Sequence, residues 1–258
     1  MTPNPIRKVL STLRAHQVCA LLMGGQACVF YGGAEFSRNT HLAVLPSPEN
    51  LERLRRALAE LLAEPIAVPP LAEQYLLEGH AVHVRCHHPE AAGIRVDVMA
   101  VMRGVAPFEA LWDRRTTIED ADGQTIDLLS LPDLVAAKKT QRDKDWPMIR
   151  RMLEAHYLAH RGEDETPARV TFWLRELRTP LLLVEVTGRH ADQARAEASD
   201  RPAVAAALAG NEEAVAVALA DEERRERELD RAYWRPLREA LERLRHQKEP
   251  SRQRDTQD

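Results

Sequence analysis

Two adjacent glycines, Gly24 and Gly25, close a short apolar run, VCALLMGG, and a helical segment follows from Gln26. Glycines at such a junction leave backbone N–H groups open to a phosphate at a helix N-terminus. Taken alone, the pair is equally a tight turn between strand and helix. The segment Ser37-Arg38-Asn39-Thr40-His41 leads into a second strand, and IRVDVM at 94–99 alternates as a third. On that strand Asp97 shares one face with Arg95 while Val96 and Val98 take the other. Asp97 is then either a carboxylate lining a cleft or a surface acid with Arg95 as its ion-pair partner. Lys138, Arg142, Lys144 and Asp145 add a charged run. Lys138 and Arg142 stand one helical turn apart, which suits a polyphosphate and equally a solvated helix face.

A second group is His80, His83, Cys86, His87 and His88. Closed zinc sites need four converging N or S ligands, and this spacing matches no paired-ligand motif. On a strand His83 and Cys86 point to opposite sides. The plain reading is a strand carrying surface histidines.

The elements that must position these residues follow from periodicity. Residues 5–16 predict an amphipathic helix with Ile6, Val9, Leu10 and Leu13 inward. Ser47, Pro48 and the periodic run LERLRRALAELLA predict a capped helix. Strands are expected at THLAVL, AVHVRC, IRVDVM and QTIDLLSL, the second and third as an antiparallel pair across HHPEAAG. FEALWDRR reads as a short helix. The run from Asp133 reads as helix, a break at Pro147, then helix. After Gly162 the chain turns rich in Ala, Glu, Arg and Leu, without a convincing strand. NEEAVAVALADEERRERELDRAYWRPLREALERLRHQ reads as a long helix that Pro236 should kink or restart. Its apolar positions are too irregular for a long coiled coil. Trp112, Trp146, Trp173 and Trp234 are expected in cores or interfaces.

In this order, Gly24-Gly25, Ser37-Arg38-Asn39-Thr40-His41, RVDVM and KKTQRDKDW resemble the DNA polymerase β-like nucleotidyltransferase fold. The last segment resembles bacterial nucleotidyltransferases related to abortive-infection toxins. The resemblance covers roughly residues 18–160. It implies an α+β class, a nucleotidyltransferase-like mixed sheet flanked by helices over 1–162; composition and charge pattern give the rest, a helical region over 163–245 and a disordered tail over 246–258. It also implies nucleotide binding by Gly24, Gly25, Ser37 and Arg38, phosphate contacts from Lys138, Arg142 and Lys144, and a positioning role for Asp145. The family holds Mg²⁺ with an Asp-x-Asp pair and a third carboxylate. Here Asn39 and His41 stand at the pair and Asp97 at the third position, where it is the remaining metal ligand and catalytic group. Asparagine offers a neutral carbonyl, and histidine a nitrogen better suited to softer metals. The implied reaction is transfer of a nucleotide monophosphate from a nucleoside triphosphate to an acceptor hydroxyl of RNA, protein or a small molecule, weakened or abolished by those two changes. The alternative is a non-catalytic nucleotide-binding protein, or an interaction protein with an antitoxin-type partner.

Composition is consistent with either. The chain has 258 residues, 44% hydrophobic and 29% charged, with a net charge of −4 that argues against a generally basic nucleic-acid binder. Aromatics are only 5%, so the core must be mostly aliphatic. Three scattered cysteines suggest reduced thiols and a cytoplasmic setting. LLLVEV at 181–186 is far short of the roughly 18 apolar residues that a membrane span requires.

Overall fold

A computed structural model describes residues 4–37, 39–119, 123–162 and 165–252. In chain order its elements are α1 (Asn4–Ala15), β1 (Ala20–Met23), α2 (Gly24–Phe30), β2 (Asn39–Val44), α3 (Pro48–Glu60), β3 (Glu64–Pro65), α4 (Glu73–Leu77), β4 (Val82–Arg85) and β5 (Arg95–Met99). There follow α5 (Phe108–Asp113), β6 (Thr116–Glu119), β7 (Thr125–Leu128), α6 (Leu131–Lys138), α7 (Asp145–His160), α8 (Pro167–Glu176), α9 (Pro180–Arg189), α10 (Ala191–Glu197), α11 (Pro202–Leu208) and α12 (Glu212–Arg252). The class is α+β. Residues 253–258 of the expected tail lie outside the described residues.

Contacts divide the chain into two units. The first comprises Met1–Ala27, Phe36–Ala137 and Ala232–Asp258; the second comprises Cys28–Glu35 and Lys138–Arg231. The boundary expected at 162 is one of composition, whereas this division interleaves segments from both halves of the chain.

The first unit is built on a seven-stranded mixed sheet of order β3-β4-β5-β2-β1-β7-β6. β2 runs parallel to β5 and antiparallel to β1, and β4 pairs antiparallel with β5, as the alternation of the two segments predicts. Strand alternation sorts the side chains. Leu42, Val44, Val82, Val84, Val96 and Val98 are buried on one face, each large aliphatic contributing ~1.5–3 kcal/mol. From α1, Ile6, Val9 and Leu13 are buried as expected, while Thr12 takes the inward place anticipated for Leu10. Ser47 caps α3 by accepting from the backbone N–H of Asn50 at 3.3 Å. The buried Asn50 amide then ties three backbone groups together. It accepts from Cys19 N at 2.7 Å and donates to the carbonyls of Cys19 (3.0 Å) and Leu45 (2.8 Å).

The second unit is helical in its described residues. Trp173 is fully buried and meets Tyr157 edge to face, with centroids 4.9 Å apart. Buried Arg201 holds Glu222 with two 3.0 Å bonds and donates to the carbonyls of Leu174 and Leu177 at the end of α8.

Two expectations are corrected. The break after Asp133 lies at 139–144, not at Pro147. There the Thr140 hydroxyl donates to Asp145 and accepts from the N–H of Arg142, a local side-chain alternative to helix. Pro147 instead sits in the first turn of α7, where a missing N–H costs little. Nor does Pro236 start a new helix: α12 continues through it, with Asp230 and Leu237 buried on either side. Among the described residues, no helix is long and apolar enough to cross a membrane, and LLLVEV lies within α9.

Candidate functional site

The sheet register of the first unit brings the candidate residues of three strands into one row. Parallel pairing of β2 with β5 sets Asn39 beside Arg95 and His41 beside Asp97. Antiparallel pairing of β5 with β4 sets His83 beside Asp97 and Arg85 beside Arg95. These six residues share the sheet face opposite the aliphatic core. Asn39, His41 and Asp97 are therefore adjacent on one face, the arrangement that a shared ligand requires.

Asp97 is 4% exposed and fully engaged. Its Oδ1 accepts from Arg95 Nε at 2.6 Å and from His83 Nδ1 at 2.7 Å, and its Oδ2 lies 3.4 Å from His41 Nδ1. His83 Nδ1 is also 3.0 Å from Arg95 Nη2. One ring nitrogen cannot both donate to a carboxylate and accept from a guanidinium. The shorter contact to an anion decides it: Nδ1 carries the proton toward Asp97, which leaves Nε2 for another partner. Burial alone would raise the Asp97 pKa. The bonds from His83 and Arg95, with His41 beside them, outweigh burial and hold the carboxyl below its ordinary value.

His83 is the residue that sequence reasoning missed, because it was grouped with surface histidines. Two of that group depart from the expectation: His80 is buried, and His83 is half-buried against Asp97. His87 is exposed near Glu64, and His88 accepts from the N–H of Glu90. Cys86 is buried, which pushes its thiol up to about 11.

The glycine pair packs against the same row. Gly24 has φ of +68°, and a Cβ there would lie 2.8 Å from the His41 ring. A Cβ on Gly25 would lie 2.8 Å from Ser37 Oγ. Ser37 itself donates to the carbonyl of Asn39 at 3.2 Å. Arg38 lies outside the described residues.

Lys138, Arg142, Lys144 and Asp145 belong to the second unit, so the candidate residues are divided between the two. Lys138 ends α6, and the basic run does not continue as one helix. Lys138 is buried, and its Nζ bonds Asp145 Oδ1 at 2.7 Å. Asp145 also accepts from Thr140 at 2.6 Å and lies 3.2 Å from Arg142 Nε. Lys144 is exposed at the start of α7. Lys138 and Asp145 thus form a buried ion pair that closes the 139–144 turn.

The donor set does not suit Mg²⁺. That ion needs near-octahedral oxygen ligands, while the one carboxylate in the row already serves a guanidinium and two imidazoles. Among the described residues, no group of three or more His, Cys, Asp or Glu side chains is arranged to hold a metal ion. The chain matches no family model, and no curated protein matches it at a significant level.

Proposed function

We propose that the chain is a nucleotide-binding protein of nucleotidyltransferase-like fold in which Mg²⁺-dependent nucleotidyl transfer is weak or lost. The observation that carries this reading is the register of β2 and β5. It sets His41 beside Asp97 and Asn39 beside Arg95, two residues back on the same face, where a carboxylate clamp would need its members, while supplying only one carboxylate. The Gly24-Gly25 turn packed against Ser37 and His41 supports a nucleotide at this face. The acceptor hydroxyl (of RNA, protein or a small molecule) and an antitoxin-type partner rest on the sequence resemblance. Lys138 and Asp145 enter this reading as structure, not as phosphate ligands.

The test is a transfer assay with labelled nucleoside triphosphates, Mg²⁺ or Mn²⁺, and cell extract as the source of acceptor. It compares the natural chain with Asn39→Asp/His41→Asp. Labelling by the double variant alone is the expected result. Labelling by the natural chain that the double variant does not improve would show that the row acts in another way.

A further inference from the structure

The polar face of β4 and β5 has an unusual charge arrangement. Arg85 and Arg95 are direct cross-strand partners. Like charges so placed are destabilising unless something of opposite sign lies between them. Asp97 offsets Arg95 through its Nε only. Arg85 is exposed, and among the described residues no ion pair engages it. The nearest acid in register is Glu64, opposite Arg85 on β3, and its side chain is 77% exposed and lies 3.7 Å from His87. The face thus carries two guanidinium groups and two imidazoles around one buried carboxylate. In a metal-dependent nucleotide site the sign is reversed, with carboxylates gathering cations that in turn hold the phosphates.

We infer that Arg85, Arg95 and His83 form a metal-independent cradle for the polyphosphate of a nucleotide, with Asp97 as the positioning residue that fixes Arg95 and His83. This rests on the nucleotide reading above and names how that site would hold its ligand. Arg95 is held at Nε by Asp97, which leaves Nη1 to donate outward. Arg85 supplies a second fork from the neighbouring strand. Guanidinium forks match phosphate oxygens in geometry and charge. His83 is fixed through Nδ1, so that its Nε2 is the nitrogen left for the ligand. With a hydrogen on Nε2 the ring donates to a phosphate oxygen. The anion also relieves the repulsion between the two arginines.

Calorimetric titration of pyrophosphate and, separately, of ATP tests this, in excess EDTA and at low ionic strength where screening is weak. Both ligands are expected to bind without metal. Arg85→Gln and Arg95→Gln should each weaken binding at least about tenfold, while Arg53→Gln, an exposed arginine on α3, should leave it unchanged. Because the Arg85 side chain makes no hydrogen bond or ion pair among the described residues, Arg85→Gln removes no contact that holds the fold, and an unchanged urea midpoint in that variant ties a loss of binding to the guanidinium. Binding that appears only with Mg²⁺, or that ignores Arg85→Gln, overturns the cradle. The two readings separate cleanly. Pyrophosphate that binds through Arg85 while ATP does not bind keeps an anion cradle and removes the nucleotide reading. ATP that binds only with Mg²⁺ and ignores Arg85 does the opposite.

Discussion

His83 and Asp97 are cross-strand partners joined by a 2.7 Å bond from imidazole Nδ1 to carboxylate Oδ1. The bond joins residues fourteen apart in sequence, and the carboxylate also anchors Arg95. Asp97→Asn keeps the shape but removes the charge, leaving the Arg95 guanidinium without its counter-ion. A loss of ~1–3 kcal/mol is expected at neutral pH. The folded Asp97 pKa is depressed, so its contribution is present above the unfolded value and lost as pH falls through the folded one. Urea unfolding of both proteins should therefore show the difference shrinking in acid. A difference that is constant with pH would mean that the charge contributes nothing.

Gly24 is required twice, by its positive φ and by the His41 ring 2.8 Å from where a Cβ would sit. Gly24→Ala should cost ~1–2 kcal/mol for the left-handed backbone alone. It should also displace His41, read as a shift of that ring's NMR signals with the His83 signals less affected. An unchanged His41 resonance would show that the ring does not rest on the turn.

Lys138 and Asp145 form a buried pair, and removing one partner leaves the other's charge uncompensated. Lys138→Met should lose ~3–5 kcal/mol in denaturant unfolding, and Lys138→Met/Asp145→Leu should recover part of it. A stable single variant would argue that Lys138 is kept for a ligand and not for the fold.

His156 accepts from Trp173 Nε1 at 3.0 Å through Nδ1. Burial, with His160 and Arg169 nearby, lowers its pKa to about 4. The unfolded chain binds this proton near pH 6.5 and the folded chain only near 4, so stability should fall as pH drops between those values. After allowance for partial exposure, ~1–2 kcal/mol is at stake. Tryptophan fluorescence during unfolding at pH 7 and pH 5 checks it, with His156→Gln expected to flatten the difference.

Much of the fold is legible in local pattern. Alternation marks β4 and β5 as an antiparallel pair, and Ser47 with Pro48 marks the start of α3. The same hairpin carries His83, Arg85, Arg95 and Asp97 of the candidate row. Its closing turn, bonded between Cys86 and Ile94 at 2.8 Å, leaves His83 opposite Asp97 by counting back along both strands. The histidine cluster hides this, because close spacing in sequence suggests a shared metal while the strand turns alternate members apart. Other features depend on distant groups. The burial of Lys138 depends on Asp145 across a broken helix, and the inward place of Asn50 on backbone groups at Cys19 and Leu45. Neither periodicity nor propensity reports such partners.

The division of the chain bears on its synthesis. Counting along the sequence, the polypeptide passes between the two units at Cys28, Phe36, Lys138 and Ala232. The first unit includes the second half of α12, where Tyr233 Oη lies 2.7 Å from the Cβ position of Gly79 and Leu237 is buried. The sheet that carries Asp97 therefore waits for residues made more than 130 positions later. A growing chain cannot complete this unit on the ribosome in N-to-C order, as domains generally do. A premature stop before Ala232 would remove part of the oldest-made unit as well as the newest, so such truncations should be cleared by proteases rather than persist as half-proteins.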